Sequence, residues 1–74
     1  MIKELDMVVL LRNLPEHRLQ AGDLGTVVMV HQAGAGFEVE FTTLVGETLA
    51  VVTVPAGDLR PTSPGEIAHA RRVA

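Results

Sequence analysis

Three histidines, three of the six glutamates and the single serine are the side chains whose types and positions could support metal binding or catalysis. His17, His31 and His69 are far apart in the sequence, and the chain has no cysteine. Zinc-type sites are marked by closely spaced His or Cys ligands, so we expect no metal site and interpret the histidines as exposed and unliganded. The missing cysteine also excludes a disulfide framework and a cysteine nucleophile.

Glu38, Glu40 and Glu47 are the carboxylates whose spacing could serve a reaction. Glu38 and Glu40 share one face of a predicted strand, and Glu47 lies in the next turn. General acid–base catalysis needs a cleft and a raised pKa, which a small filled domain hardly offers. We therefore interpret the three as an acidic face, either solvated or docking a basic partner. Ser63 lies in no Gly-x-Ser-x-Gly elbow, so we predict no catalytic residue, no cofactor, no small-molecule substrate and no enzyme activity.

The size and charge of the chain exclude several classes of protein. Its 74 residues make one domain, and 47% of them are hydrophobic, enough for a folded core. Nine acidic against six basic residues give a net charge of −3, the wrong sign for a domain that gathers nucleic-acid phosphates. No apolar run reaches signal-peptide length or the ~20 residues of a membrane span. We therefore expect a cytoplasmic protein with no membrane partner.

Short β-branched runs separated by turn residues predict an all-β domain. The predicted strands cover residues 7–12, 24–31, 37–42, 48–54 and 59–61. The third alternates most regularly, which places Phe37, Val39 and Phe41 inward and Glu38 and Glu40 in water. Four or five short strands favour a small antiparallel barrel, because closing the sheet into a barrel removes its exposed edges.

A predicted turn on Gly22, Asp23 and Gly25 leads into the second strand. The segment from Ala21 to Val30, preceded by Asp6-x-Val8-Val9-x-Leu11, resembles the KOW-type signature of SH3-like barrels. That resemblance implies an SH3-like barrel. A five-stranded OB barrel stays open as the alternative. Nucleic-acid-binding KOW modules need basic groups, but this chain has no lysine or arginine between Gly22 and Gly57.

Five segments spread from Leu5 to Pro61 carry a longer resemblance. They are Asp6-x-Val8-Val9-Leu10-Leu11, Leu14-Pro15, Gly22-Asp23-x-Gly25-Thr26-Val27-Val28, Phe37-Glu38-Val39-Glu40-Phe41 and Asp58-Leu59-Arg60-Pro61. Together they resemble a bacterial domain-of-unknown-function family of small stand-alone proteins. The resemblance covers Leu5 to Pro61 and implies an SH3-like, KOW-like barrel with no assigned catalytic or binding residue. We assign residues 1–61 to this domain.

Residues 62–74 form a tail of different character. Ser63, Pro64 and Glu66 match a helix N-terminus, with a serine cap, proline at the first helical position and a glutamate completing a capping box. The segment 64–74 is marginal in length for an isolated helix. The pattern therefore predicts a short C-terminal helix on condition that its apolar side chains find a surface.

Two predicted strands are apolar on both faces. Val8 and Leu10 alternate with further apolar residues in the first strand, and Leu49 and Val51 do so in the fourth. A strand with one face in water should alternate with polar residues, so the second face needs a cover. We take Val8, Leu10, Leu49 and Val51 as the candidate interface. The chain's own loop or tail, a second copy and a different protein all stay open as the cover.

These patterns favour a non-catalytic protein that works by protein–protein contact, as a homo-oligomer or as an accessory or antitoxin-like partner of another protein. The alternative is a KOW-like nucleic-acid or ribosome-associated module that binds through arginines. Those arginines are Arg12, Arg18, Arg60, Arg71 and Arg72. Binding of proline-rich peptides is disfavoured, because the chain has no Tyr or Trp to line a groove.

Overall fold

Five antiparallel strands form one sheet in the computed structural model, which describes residues 1–73. The strands are β1 Met7–Leu10, β2 Leu24–His31, β3 Gly36–Thr42, β4 Thr48–Pro55 and β5 Leu59–Pro61. Their order across the sheet is β4-β3-β2-β1-β5, which makes β4 and β5 the two edges. The predicted all-β class with about five short strands is confirmed. Pairing between β4 and β5, which would close the sheet into a barrel, is not found among residues 1–73.

One apolar cluster fills the inner side of the sheet. Phe37, Val39 and Phe41 enter it from β3, because alternate residues of a strand share a face. Val8 and Leu10 of β1 are fully buried in the same cluster. The other buried members are Leu14, Leu19, Val27, Val54 and Leu59. The predicted inward face of the third strand is confirmed.

The long segment between β1 and β2 is pinned by two leucines, as its sequence predicts. Leu14 and Leu19 are both buried, and each backbone N–H donates to the other residue's carbonyl, at 2.9 Å and 3.1 Å. The N–H of Gly22 donates to the carbonyl of Leu10 at 2.7 Å. This bond ties the end of the loop to the end of β1.

Three of the five strands differ from their predicted bounds by one or two residues. β1 ends at Leu10 instead of residue 12, although the N–H of Leu11 still donates to the carbonyl of Asp58 at 2.8 Å, in the register of the β1–β5 pairing. β2 has its predicted bounds, while β3 begins one residue early, at Gly36. β4 continues to Pro55, which an edge strand tolerates because the missing N–H can face away from the sheet.

Helical structure is confined to three short 3-10 turns in the described part of the chain. They cover Pro15–His17, Gln32–Gly34 and Ala56–Asp58. No helix within residues 1–73 has the length and apolar character needed to cross a membrane.

The tail forms no helix over residues 62–73, which corrects the conditional prediction. The N–H of Glu66 donates to the carbonyl of Ser63 at 3.2 Å, and Gly65 has a φ of +87°. Proline followed by a glycine with positive φ is the pattern of a type II turn, and it interrupts a right-handed helix. Ile67 is 93% exposed, so the surface that the helix needed is missing. Ala74 lies outside the described residues.

Candidate interaction surface

The turn between β3 and β4 exposes two large apolar side chains. The N–H of Gly46 donates to the carbonyl of Thr43 at 2.9 Å, which places Leu44 and Val45 at the centre of the turn. Their residues are 90% and 84% exposed. Central turn positions are usually taken by Gly, Pro, Asn, Asp or Ser, each for a conformational reason. Neither Leu44 nor Val45 has such a conformational reason to lie at the centre of a turn.

The outer face of the sheet mixes apolar and polar side chains. Residues directly opposite on neighbouring strands share a face, and one row runs from Met7 through Thr26 and Glu40 to Val51. Met7 and Val51, at the two ends of the row, are about half exposed, whereas its centre is polar. The outer face is therefore not a continuous apolar patch. The exposed large apolar side chains of the strands are Met7 on β1, Val28, Met29 and Val30 on β2, and Val51 on β4.

The candidate interface predicted from double-sided strands needs a correction. Val8 and Leu10 are 0% exposed and belong to the core, so no partner can reach them. The other face of β1 is closed in part by the chain itself, since Val9 is also buried. Leu49 is half-buried and packs against the core, whereas Val51 is 53% exposed. Of the four residues, Val51 alone presents its side chain openly to solvent.

Glu38 and Glu40 lie on the outer face, as predicted, but each has a partner on β4. The hydroxyl of Thr53 donates to Glu38 at 2.6 Å, and the hydroxyl of Thr48 donates to Glu40 at 2.7 Å. Both glutamates are half-buried. Glu47 is exposed in the turn after β3 and does not lie on the strand that carries Glu38 and Glu40. The predicted acidic face therefore consists of two strand glutamates that join β3 to β4, with Glu47 apart from them.

The predicted structural turn lies where the sequence places it. Gly22 has a φ of +98°, the left-handed region that glycine enters without strain. The Asp23 carboxylate accepts the N–H of Gln20 at 2.8 Å. Gly25 is buried in β2, where a Cβ atom would lie 2.5 Å from Cγ1 of Val39. The turn therefore needs Gly22 for its backbone and Gly25 for its contact with β3.

Asp23 also anchors the tail, a contact that the sequence pattern missed. The guanidinium of Arg71 donates to both oxygens of this carboxylate, at 2.8 Å and 2.5 Å, and to the carbonyl of Arg18 at 2.9 Å. Burial by itself raises the pKa of Asp23. The hydrogen bonds from Arg71 and Gln20, with the charge of Arg71, outweigh burial and hold that pKa below its ordinary value. No sequence pattern marks a contact between residues so far apart.

Three of the five arginines of the nucleic-acid alternative have carboxylate partners. Arg60 pairs with Glu66 at 2.6 Å, Arg71 with Asp23 at 2.5 Å, and Arg12 with Asp58 at 3.4 Å. Arg18 and Arg72, which have no ion pair within residues 1–73, line a cleft together with Arg71. Three of the six Lys and Arg side chains are thus ion-paired within residues 1–73.

The histidines are not gathered into a site. His31 lies at the end of β2 with Nε2 3.8 Å from a Glu38 oxygen, whereas His17 is in the loop and His69 is exposed in the tail. No group of three or more His, Cys, Asp or Glu side chains in the described part of the chain could hold a metal ion.

Leu44 and Val45 are the surface residues that sequence reasoning passed over. The sequence predicts a turn at this segment, and the signal that could single it out is the apolar pair at the centre of that turn.

Of the comparisons with known proteins, one gives a match, and it covers the sheet and its loops. No curated protein and no solved structure matches the chain. A family model described as "Domain of unknown function (DUF4926)" matches residues 4–61, a range that contains all five strands and leaves out the tail. Because this match covers most of the chain, the protein belongs to the DUF4926 family of domains of unknown function.

Proposed function

We propose that this chain is a non-catalytic binding protein that acts by protein–protein contact through its β3–β4 hairpin, residues 36–55. The observation that carries the proposal is the exposure of Leu44 and Val45 at the tip, 90% and 84%. Single exposed leucines are common on protein surfaces, but an adjacent pair in a turn has no local reason to be apolar. The partner is a second copy of the chain or a protein for which this chain is an accessory or antitoxin-like partner.

The charges of the hairpin support a protein partner. Residues 41–46 and 48–57 carry no charged side chain, and the two strand glutamates are already hydrogen bonded to β4 threonines. A nucleic-acid partner would need free basic groups, whereas this hairpin has none. The finer fold assignment, an SH3-like, KOW-like barrel of a cytoplasmic bacterial protein, is part of the same proposal. It is supported by the turn at Gly22 and by the pairing of β5 with β1.

The test is affinity capture from a native lysate of the source organism, with and without nuclease, using wild type and two variants. Leu44→Asp puts a charge on the hairpin tip. Ile67→Asp makes a similar change on a residue of the tail with similar exposure and serves as the control. We expect wild type and Ile67→Asp to retain one stoichiometric protein after nuclease treatment, and Leu44→Asp to lose it. That protein is either a second copy of this chain or a different protein.

Two results would contradict the proposal. Equal retention by Leu44→Asp and Ile67→Asp would remove the hairpin from the contact. Loss of all retained material on nuclease treatment would instead support the nucleic-acid alternative through Arg18 and Arg72, the two arginines without a carboxylate partner in the described part of the chain.

A further inference from the structure

The two edges of the sheet are protected to different degrees. β5 has three residues, Leu59–Pro61, and includes a charged Arg60 and a proline. β4 has eight residues, Thr48–Pro55, with no charge and no proline before its last position. Natural sheets usually guard an edge by shortness, charge, proline or cover. The middle of β4 has none of these within residues 1–73, so it offers a row of backbone groups to another strand.

The pairing with β3 determines which β4 groups are free. The N–H of Ala56 donates to the carbonyl of Ala35 at 3.0 Å. Ala35 and Ala56 are therefore a hydrogen-bonded pair, and they continue the register in which β3 pairs with β4. Hydrogen-bonded pairs alternate along an antiparallel ladder, so Val54 and Val52 bond to β3. Val51 and Thr53 therefore direct their N–H and carbonyl groups to the open edge. Pro55 falls on the same side, where its missing N–H breaks no bond to β3.

We propose that β4 pairs antiparallel with β4 of a second copy, with Val51 opposite Thr53 of that copy. The inference rests on the proposed function and names its partner. In this register Val52 faces Val52 of the second copy on the twofold axis. The N–H and carbonyl groups of Val51 and Thr53 are then satisfied on both chains, and two five-stranded sheets join into one.

A second copy fits this edge for two reasons. The paired segments are uncharged, so the twofold arrangement brings no like charges face to face, and β-branched residues such as Val and Thr pack well on the pleated surface of a sheet. The antiparallel direction also carries the Leu44–Val45 tip of each copy toward Pro55 and Ala56 at the far end of the other β4. One contact thus accounts for both the open edge and the exposed apolar turn.

Sedimentation equilibrium of the full chain tests the pairing. We expect wild type to be a dimer and Val51→Lys to weaken it by about tenfold or more, since lysine on an edge strand opposes pairing with another strand and the two introduced charges lie near the twofold axis on one face of the joined sheet. Val28→Lys is the matched control, because Val28 is 40% exposed but lies in β2, inside the sheet. Circular dichroism of each variant shows whether it is folded.

A single introduced cysteine tests the register. The chain has no cysteine of its own, so Val52→Cys gives one thiol per copy. Facing residues in a non-hydrogen-bonded antiparallel pair have Cα atoms about 4.5 Å apart, within the range of a disulfide. We expect Val52→Cys to form a disulfide-linked dimer on mild oxidation, and Thr62→Cys in the exposed tail to stay largely uncrosslinked.

Three outcomes would overturn the self-pairing: a monomeric wild type at every concentration, a dimer unaffected by Val51→Lys, or a dimer in which Val52→Cys does not crosslink. A monomeric wild type that still retains a different protein, and loses it in Leu44→Asp, refutes the self-pairing and leaves the proposed function standing. A monomer that retains no protein after nuclease treatment refutes both.

Discussion

Gly25 is the glycine with the least room around it. A Cβ atom there would lie 2.5 Å from Cγ1 of Val39 and 2.9 Å from the ring of Phe41, and both neighbours are buried. Packed interiors have little space in which β-branched and aromatic side chains could shift. The role of this glycine is therefore close contact between β2 and β3.

Gly25→Ala should lower the free energy of unfolding by about 1–3 kcal/mol, the range for adding a methyl group to a filled core. Gly57→Ala is the control, because no heavy atom lies within 4 Å of its added Cβ. We expect the control to change stability by less than about 0.5 kcal/mol. Urea denaturation measures both, and equal stability of the two variants would contradict the steric argument.

Asp23 is the residue that connects the tail to the loop before β2. Asp23→Asn keeps an oxygen for the N–H of Gln20 but removes the charge that faces Arg71. We expect the tail to detach more often and trypsin to cleave faster after Arg71. Asp58→Asn, which removes the charge opposite Arg12, is the control and should leave that cleavage rate unchanged.

The pH dependence of this contact follows from the lowered pKa of Asp23. A carboxyl group with a lowered pKa stabilises the folded arrangement above its ordinary value, here 3.8, and the contribution is lost as the pH falls through the lowered pKa. The tail should therefore remain docked at neutral pH and be released only in acid. Release at pH 5 to 6 in wild type would show that another group controls docking.

The turn at Ser63–Glu66 is the element that redirects the chain after β5. Its Glu66 carboxylate accepts two hydrogen bonds from Arg60, at 3.0 Å and 2.6 Å, and one from the N–H of Ser63 at 2.7 Å. The Arg60 hydrogen bonds are the largest cause, and together with the Ser63 N–H they lower the pKa of Glu66 from 4.5 to about 2. The turn is thus fixed by side chains at both of its ends.

We predict that Glu66 titrates with a midpoint of about 2 in a carboxyl-detected NMR titration. Because the pKa is lowered, the Arg60–Glu66 contact is fully present above 4.5 and is lost as the pH falls through about 2. Arg60→Gln should move the midpoint most of the way back toward 4.5. A wild-type midpoint near 4.5 would show that the pair does not form in solution.

At the scale of the whole molecule, the sheet and the tail are separable. Every buried member of the core cluster lies between Val8 and Leu59, and the family match ends at residue 61. Residues 62–70 are exposed throughout, and Arg71 is the tail residue that bonds to the loop before β2. The sheet should therefore fold without the tail.

A chain ending at residue 62 should keep the β-type circular dichroism spectrum and lose about 1 kcal/mol of unfolding free energy, comparable to one or two exposed ion-pair contacts. The urea m-value should fall little, because the tail buries little surface. An unfolded truncated chain would show that the tail is part of the folding unit.

The amino-acid sequence by itself determined the elements whose patterns are local. The β-branched run 24–31 became β2 with the predicted bounds, and the period-two alternation of Phe37, Val39 and Phe41 fixed the inner face of β3. The turn at Gly22 was equally readable, because a positive φ selects for glycine. These features depend on neighbouring residues, so the sequence contains all the information that they need.

The tertiary structure decided the features that depend on distant contacts. β1 is apolar on both sides, so only the packing shows that Val8 and Leu10 face the core. Val51 of β4 is then the exposed member of the candidate interface. Ser63 to Glu66 fit both a helix start and a turn, and the hydrogen bonds from Arg60 together with the missing apolar surface favour the turn. Strand order likewise made β4 an edge, because pairing between strands is a property of the assembled sheet.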